Sequence, residues 1–106
     1  MFQTIKNLLG FGPKVEYAQL VKNGAIIVDV RTIGEYNSGH IKGSVNIPLN
    51  NLGGHTRKLK DKSKPIITCC ASGMRSASAK SILKSAGIEE VYNGGGWNSL
   101  QSKLRS

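Results

Sequence analysis

One segment of the 106-residue chain carries residue types that can do nucleophilic chemistry: Cys70-Ala71-Ser72-Gly73-Met74-Arg75-Ser76. The apolar run before it, Pro65-Ile66-Ile67-Thr68-Cys69, reads as a buried strand, and Ser76-Ala77-Ser78-Ala79-Lys80-Ser81-Ile82-Leu83-Lys84 after it reads as a helix. A cysteine at a strand's carboxyl end, joined by a tight loop to a helix N-terminus, lies where backbone N–H groups converge. Such a concavity binds anions and stabilises a thiolate. Cys70 and Arg75 have a Cys-x4-Arg spacing; Gly73 supplies freedom for positive φ, and Ala71 and Ser72 let the backbone curl around one atom. Inward amides, the helix's positive end and the Arg75 guanidinium together can lower a thiol from about 8.5 to roughly 3.5–7.5. The helix end contributes only about 0.3–2 kcal/mol, so the amides must supply much of the shift. The expected chemistry is nucleophilic attack by Cys70. The alternative is an inert buried thiol, with Arg75 as a surface cation.

Such a loop needs a sheet to present it. Strand-like and helix-like segments alternate along the chain, which predicts an α/β fold: a central, mostly parallel sheet with helices on both faces. Val15 to Lys22 reads as a short strand start and then a helix stopped by Asn23-Gly24, and Ala25-Ile26-Ile27-Val28-Asp29-Val30 as a central strand buried on both faces. Glu35 to Ser38 makes at most a helical turn, and Val45-Asn46-Ile47 a short strand ended by Pro48. A helix in Asn50 to Lys60 is broken or started late by Gly53-Gly54. Ile66 to Cys69 is the second central strand, and Ser76 to Ala86 a helix closed by Gly87. Val91-Tyr92-Asn93 is a third short strand before a closing helix over Trp97 to Leu104. Ligands of open α/β sheets bind beyond the strands' carboxyl ends, which is where Cys70 falls. Cys69 points the other way, into the core.

Four further groups of residues join the Cys70 loop in a recognisable order: Asp29-Val30-Arg31, Glu35-Tyr36, Gly39-His40-Ile41-Lys42-Gly43-Ser44-Val45-Asn46-Ile47-Pro48, and Val91-Tyr92-Asn93-Gly94-Gly95-Gly96-Trp97. From about Val15 to Leu104 the chain resembles the single-domain rhodaneses, which are thiosulfate sulfurtransferase-like. The resemblance implies one rhodanese-like domain over residues 13–106, behind an amphipathic extension over residues 1–12. With the loop chemistry, it makes Cys70 and Arg75 the catalytic candidates, Ala71, Ser72, Gly73, Met74 and Ser76 the substrate-binding ones, and Asp29 and Arg31 supporting residues. The expected ion pairing of the last two is with neighbours, Arg31 with Glu35. The resemblance gives His40 a structural role in its turn and puts Gly94-Gly95-Gly96 and Trp97 in the wall near Cys70, although the glycines stand closer to the tryptophan here than in the commonest family pattern. His55 reads as an exposed loop residue.

The implied reaction is ping-pong. The Cys70 thiolate takes the outer sulfur of a small anionic donor such as thiosulfate and later yields it to a thiol or cyanide acceptor, with Arg75 orienting the donor. A second reading makes the domain a sulfur carrier between a cysteine desulfurase and a thiol carrier protein. A third makes it a Cys-dependent phosphatase or arsenate reductase of the same fold, but the resembled phosphatase pattern is Cys-x5-Arg, one residue longer.

Fifteen Lys and Arg against six Asp and Glu give a formal charge of +9. The cations are scattered, apart from Arg57, Lys58, Lys60, Lys62 and Lys64, and no basic stripe with interleaved aromatics marks a nucleic-acid binder. A positive field of this kind instead favours small anions, in a salt-sensitive way. Two cysteines and two histidines without ligand spacing imply no metal, and nothing calls for a cofactor. No apolar stretch approaches the ~20 residues of a transmembrane segment. Met1 to Phe11 lacks the features of a signal peptide, and adjacent cysteines form no disulfide framework. Both readings favour the cytoplasm. Phe2, Ile5, Leu8, Leu9 and Phe11 can form one apolar helical face that packs on the domain, touches a membrane surface or makes a dimer, with packing on the domain the expected outcome.

Overall fold

The computed structural model describes residues 15–105, so the amphipathic extension expected over 1–12 lies outside the described residues. In chain order the elements are α1 (Tyr17–Lys22), β1 (Ile26–Asp29), α2 (Ile33–Asn37), β2 (Val45–Asn46), a 3-10 helix (Leu49–His55), α3 (Thr56–Asp61), β3 (Ile66–Cys70), α4 (Met74–Ser85), β4 (Val91–Gly96) and α5 (Trp97–Leu104). The four strands pair in the order β2-β1-β3-β4, all parallel. The β-branched runs of β1 and β3 occupy the centre, paired on both sides, with Ile26 opposite Ile66 and Asp29 opposite Cys69.

Alternation along these strands feeds two cores. Val28, Val30, Ile66 and Cys70 pack on one face with Leu52, Leu59, Ala79 and Leu83 from the 3-10 helix, α3 and α4. Ile27, Ile67 and Cys69 pack on the other with Leu100, Tyr17, Leu20 and Leu104 from α1 and α5. Helices on both faces are what the continuous apolar runs require.

Three boundaries depart from the sequence expectation. Among the described residues no strand precedes α1: residues 15 and 16 are irregular, and Val15 joins no sheet. Helix α4 starts at Met74, two positions before Ser76, because Gly73 serves as its left-handed N-cap with φ +108. Strand β4 runs on through all three glycines, with a register shift that leaves Cys70 opposite Gly96. Gly94 permits this. A Cβ there would lie 2.8 Å from the Thr68 carbonyl oxygen and 2.9 Å from Leu100 Cδ2.

The basic run sits at the amino edge of the sheet, away from Cys70. Lys60 and Lys64 line a cavity of about 370 Å³ with Pro65, Gly87 and Glu90, just ahead of β3 and β4. Among the described residues no helix is long and apolar enough to cross a membrane.

Candidate active site

Strand β3 delivers Cys70 to the carboxyl edge of the sheet, and the turn into α4 wraps its sulfur. The Gly73 N–H donates to Cys70 Sγ at 2.9 Å and the Ser76 N–H at 3.3 Å, while Ser76 Oγ lies 3.5 Å away. The positive φ of Gly73 turns these amides inward, and a side chain at that φ would strain the turn. Burial pushes the Cys70 thiol up, but hydrogen bonds from the Ser76 hydroxyl and from the N–H groups of Ser76, Gly73 and Ser72 outweigh it. The thiol is thereby held below its ordinary value. Cys69, equally buried, has no such cradle, and burial pushes it up to about 12.

Arg75 is not open to the loop. Its Nη1 and Nη2 donate to the two carboxylate oxygens of Glu35 at 2.8 and 2.9 Å, an end-on fork. Glu35 is also the third residue of α2, where it closes a capping box: Thr32 Oγ1 accepts from the Glu35 N–H, and Glu35 Oε1 accepts from the Thr32 N–H. The Arg75 guanidinium first, and the Thr32 N–H second, hold this carboxyl at about 2 against an ordinary 4.5. One side chain thus ties the cap of a five-residue helix to the candidate catalytic loop.

The ion pair expected between Arg31 and Glu35 is therefore corrected. Arg31 pairs instead with Asp29 at 2.7 Å, both buried, and reaches Glu35 only at its main-chain carbonyl, 3.2 Å away. The two-residue separation sets this choice, since Asp29 Oδ1 also accepts the Arg31 N–H at 3.0 Å and turns the guanidinium inward. There it donates to the Gly39 carbonyl at 2.7 Å and lies 4.7 Å over the Trp97 ring. Asp29 and Arg31 brace the segment from α2 to Gly39, and touch the Cys70 loop only through Glu35 and Arg75.

The glycines of β4 lie along the loop: a Cβ on Gly96 would meet the Ala71 carbonyl oxygen at 3.0 Å, and one on Gly73 would meet Gly95 Cα at 3.6 Å. Trp97 turns to the other face, into the core that holds Cys69. Ala71, Ser72 and Met74 are exposed, Met74 by 81%. His40 stacks on Tyr36 at 3.7 Å, with its Nδ1 2.7 Å from the Tyr36 carbonyl oxygen, and fixes the turn. His55 Nδ1 lies 2.9 Å from the Asn51 carbonyl oxygen. Among the described residues, no group of His, Cys, Asp or Glu could hold a metal ion.

Two residues that the sequence did not single out support the cradle. Thr68 Oγ1 donates to the Ser76 carbonyl at 2.9 Å, across the start of α4. Asn93 Oδ1 accepts from Ser76 Oγ at 2.6 Å and from the Gly95 N–H at 2.9 Å. The available signal for Asn93 was a polar side chain at the point where a strand meets a glycine run.

Comparison with known proteins agrees with this geometry. A model of the rhodanese-like domain matches residues 14–103. Thiosulfate sulfurtransferase GlpE of Pseudoalteromonas translucida is 38% identical over 74 residues, which are 70% of either chain. Uncharacterized protein YqhL of Bacillus subtilis is 34% identical over 83 residues, covering 77% of this chain. The chain spans 65% of the length of YqhL and 14% of a tRNA sulfurtransferase of Thermoplasma acidophilum that it also matches. Among solved structures, an E. coli rhodanese with anions superposes with a TM-score of 0.66 at 31% identity, over 72% of this chain and 91% of that one. Because the match runs from the start of the described chain into α5 and takes in every motif around Cys70, the protein belongs to the rhodanese-like domain family.

Proposed function

We propose that the chain is a sulfurtransferase that moves sulfane sulfur through a persulfide on Cys70. The observation that carries this reading is the pair of amide N–H groups, at 2.9 and 3.3 Å, on a buried cysteine sulfur at the carboxyl edge of the sheet. The six-residue Cys70–Arg75 loop, one residue shorter than the phosphatase pattern, favours a single sulfur over a tetrahedral oxyanion.

In the first half-reaction the Cys70 thiolate attacks the outer sulfur of thiosulfate. The new S–S bond forms as the bond to the sulfonate sulfur breaks, and sulfite leaves with the electron pair. Cys70 then carries a persulfide anion whose charge the loop amides stabilise. In the second half-reaction a nucleophilic acceptor, cyanide in an assay or a thiol in the cell, takes the outer sulfur, and the Cys70 thiolate is the leaving group. Arg75 acts in this scheme mainly by holding the loop against Glu35, and orients the donor less than its position in the sequence implies. A cytoplasmic setting suits a thiol that must stay reduced.

A thiosulfate:cyanide assay on the wild type beside Cys70→Ser tests the reading. Thiocyanate production that vanishes in the variant, with one added sulfur on wild-type Cys70 by mass spectrometry, supports it. No sulfur on folded wild type from thiosulfate, but loading from a cysteine desulfurase with cysteine, moves the assignment to a sulfur carrier. Phosphate-ester turnover through Cys70 at a comparable rate would overturn the loop-length argument.

A further inference from the structure

Ser76 Oγ has one hydrogen and two oxygen acceptors, Asn93 Oδ1 at 2.6 Å and the Gly73 carbonyl oxygen at 3.0 Å, with the Cys70 thiol donating to it from 3.5 Å. A hydroxyl donates once. The shortest contact takes the hydrogen, so the oxygen's lone pairs face the cysteine and suit an S–H donor rather than a thiolate. We propose that Asn93 is a positioning residue that keeps the Ser76 hydroxyl hydrogen off the Cys70 sulfur while it is a thiol or a persulfide, and yields it when the sulfur becomes a thiolate.

The exchange is local and balanced. Loss of the S–H proton to water leaves a negative sulfur, a stronger acceptor than a neutral amide oxygen. The hydroxyl rotates from Asn93 to Sγ, and Asn93 Oδ1 keeps the Gly95 N–H at 2.9 Å, so it is not stranded. Attack on a donor makes Sγ a neutral divalent sulfur, and the hydroxyl returns to Asn93. When an acceptor removes the outer sulfur, the hydroxyl swings back to the departing thiolate. Asn93 therefore restrains the nucleophile in one half-reaction and the leaving group in the other. The Gly73 carbonyl at 3.0 Å is a longer contact than Asn93 and, as a neutral oxygen, a weaker acceptor than a thiolate.

The charged groups facing Cys70 do not supply the same control. Arg75, from α4, feels the Cys70 charge but is neutralised by Glu35 of α2. Cys69 of β3 remains protonated, and Asp29 of β1 is paired with Arg31. From β4 the polar side chain that reaches the cradle is the uncharged Asn93.

The proposal rests on Cys70 being the nucleophile, but its test needs no sulfur donor, so it can fail separately from the sulfurtransferase reading. The pH dependence of iodoacetamide alkylation at Cys70, followed by peptide mass spectrometry, is measured for wild type, Asn93→Ala, the near-isosteric Asn93→Leu, Ser76→Ala and the double variant Asn93→Ala/Ser76→Ala. Removing Asn93 should free the hydroxyl for the thiolate and lower the alkylation midpoint by about half to one pH unit. In the Ser76→Ala background the same substitution should have no such effect. A purely structural Asn93 predicts the reverse sign, because a loosened cradle raises the midpoint. An unchanged or raised midpoint in the folded Asn93 variants, or a fall that persists without Ser76, overturns the proposal.

Discussion

Cys69 and Cys70 are neighbours on one strand, both fully buried, yet burial governs only one of them. Cys69 faces the core of α1 and α5 and is pushed up to about 12; Cys70 faces α4 and is held below an ordinary thiol. Desolvation acts on both. The difference is the turn at Gly73, which aims N–H groups at one sulfur and none at the other. The lowered thiol comes from where the backbone points its dipoles after the strand ends, one position along β3 from a cysteine that lacks them.

The largest effect should come from exchanging the fates of the two thiols. Cys70→Ser should abolish sulfur loading, roughly a thousandfold or more, since serine is a far poorer nucleophile at neutral pH. Cys69→Ala should leave turnover within about twofold and cost about 1 kcal/mol or more in a urea titration, as the loss of a small buried side chain. Equal losses from both variants in the cyanide assay would break the comparison.

Next comes the turn itself. Gly73→Ala places a Cβ at φ +108, where the cost is conformational, because the nearest outside atom, Gly95 Cα, is at an ordinary 3.6 Å. Relief of roughly 1–3 kcal/mol of strain would swing the Gly73 N–H off the sulfur. Alkylation of Cys70 at neutral pH should fall about tenfold, with Cys69 unaffected.

Smaller still is the loss of the latch. The Glu35 carboxyl lies at about 2 in the fold against 4.5 ordinarily, so its ionised form stabilises the fold above about pH 4.5. That stabilisation is lost as the pH falls through about 2. Urea midpoints of wild type and Glu35→Gln should differ near neutrality and converge across this window. A constant separation down to about pH 2 would mean that Glu35 contributes by packing alone.

The smallest expected effect concerns the amino edge. Replacing Lys60, Lys62 and Lys64 with alanine should change thiosulfate turnover by less than about twofold at physiological salt, where charges a sheet-length apart are screened. A larger loss would make these lysines a main source of the anion-gathering positive field.

The order of elements, the two central strands and the Cys70 loop were legible because each is written locally, in β-branched runs, glycine stops and a six-residue turn. Expectation and structure agree for α5, and the 3-10 helix ahead of α3 matches the helix delayed by Gly53-Gly54. What escaped was pairing across distance. Arg31, Glu35, Asp29 and Arg75 offer more than one consistent set of ion pairs in one dimension, and the two-residue separation of Asp29 from Arg31 won only once the strand end had a direction. The same holds for Asn93, which is brought to Ser76 by the adjacency of β3 and β4. The short glycine–tryptophan spacing already set Trp97 apart from the family pattern, and its glycine run extends the strand and turns the ring to the opposite face.

The all-parallel register also fixes when the chemistry can begin. Parallel neighbours cannot be joined by a hairpin, and β3 must find β1 on one side and β4 on the other, at positions as remote in sequence as Ile26 and Val91. Contacts of such long range form late and slowly. Until they form, Cys70 lacks the burial and the amide contacts that distinguish it from an ordinary thiol. The Asn93 contact to Ser76 exists only once β3 and β4 are paired, so the complete cradle is a product of the folded sheet and not of the local turn alone.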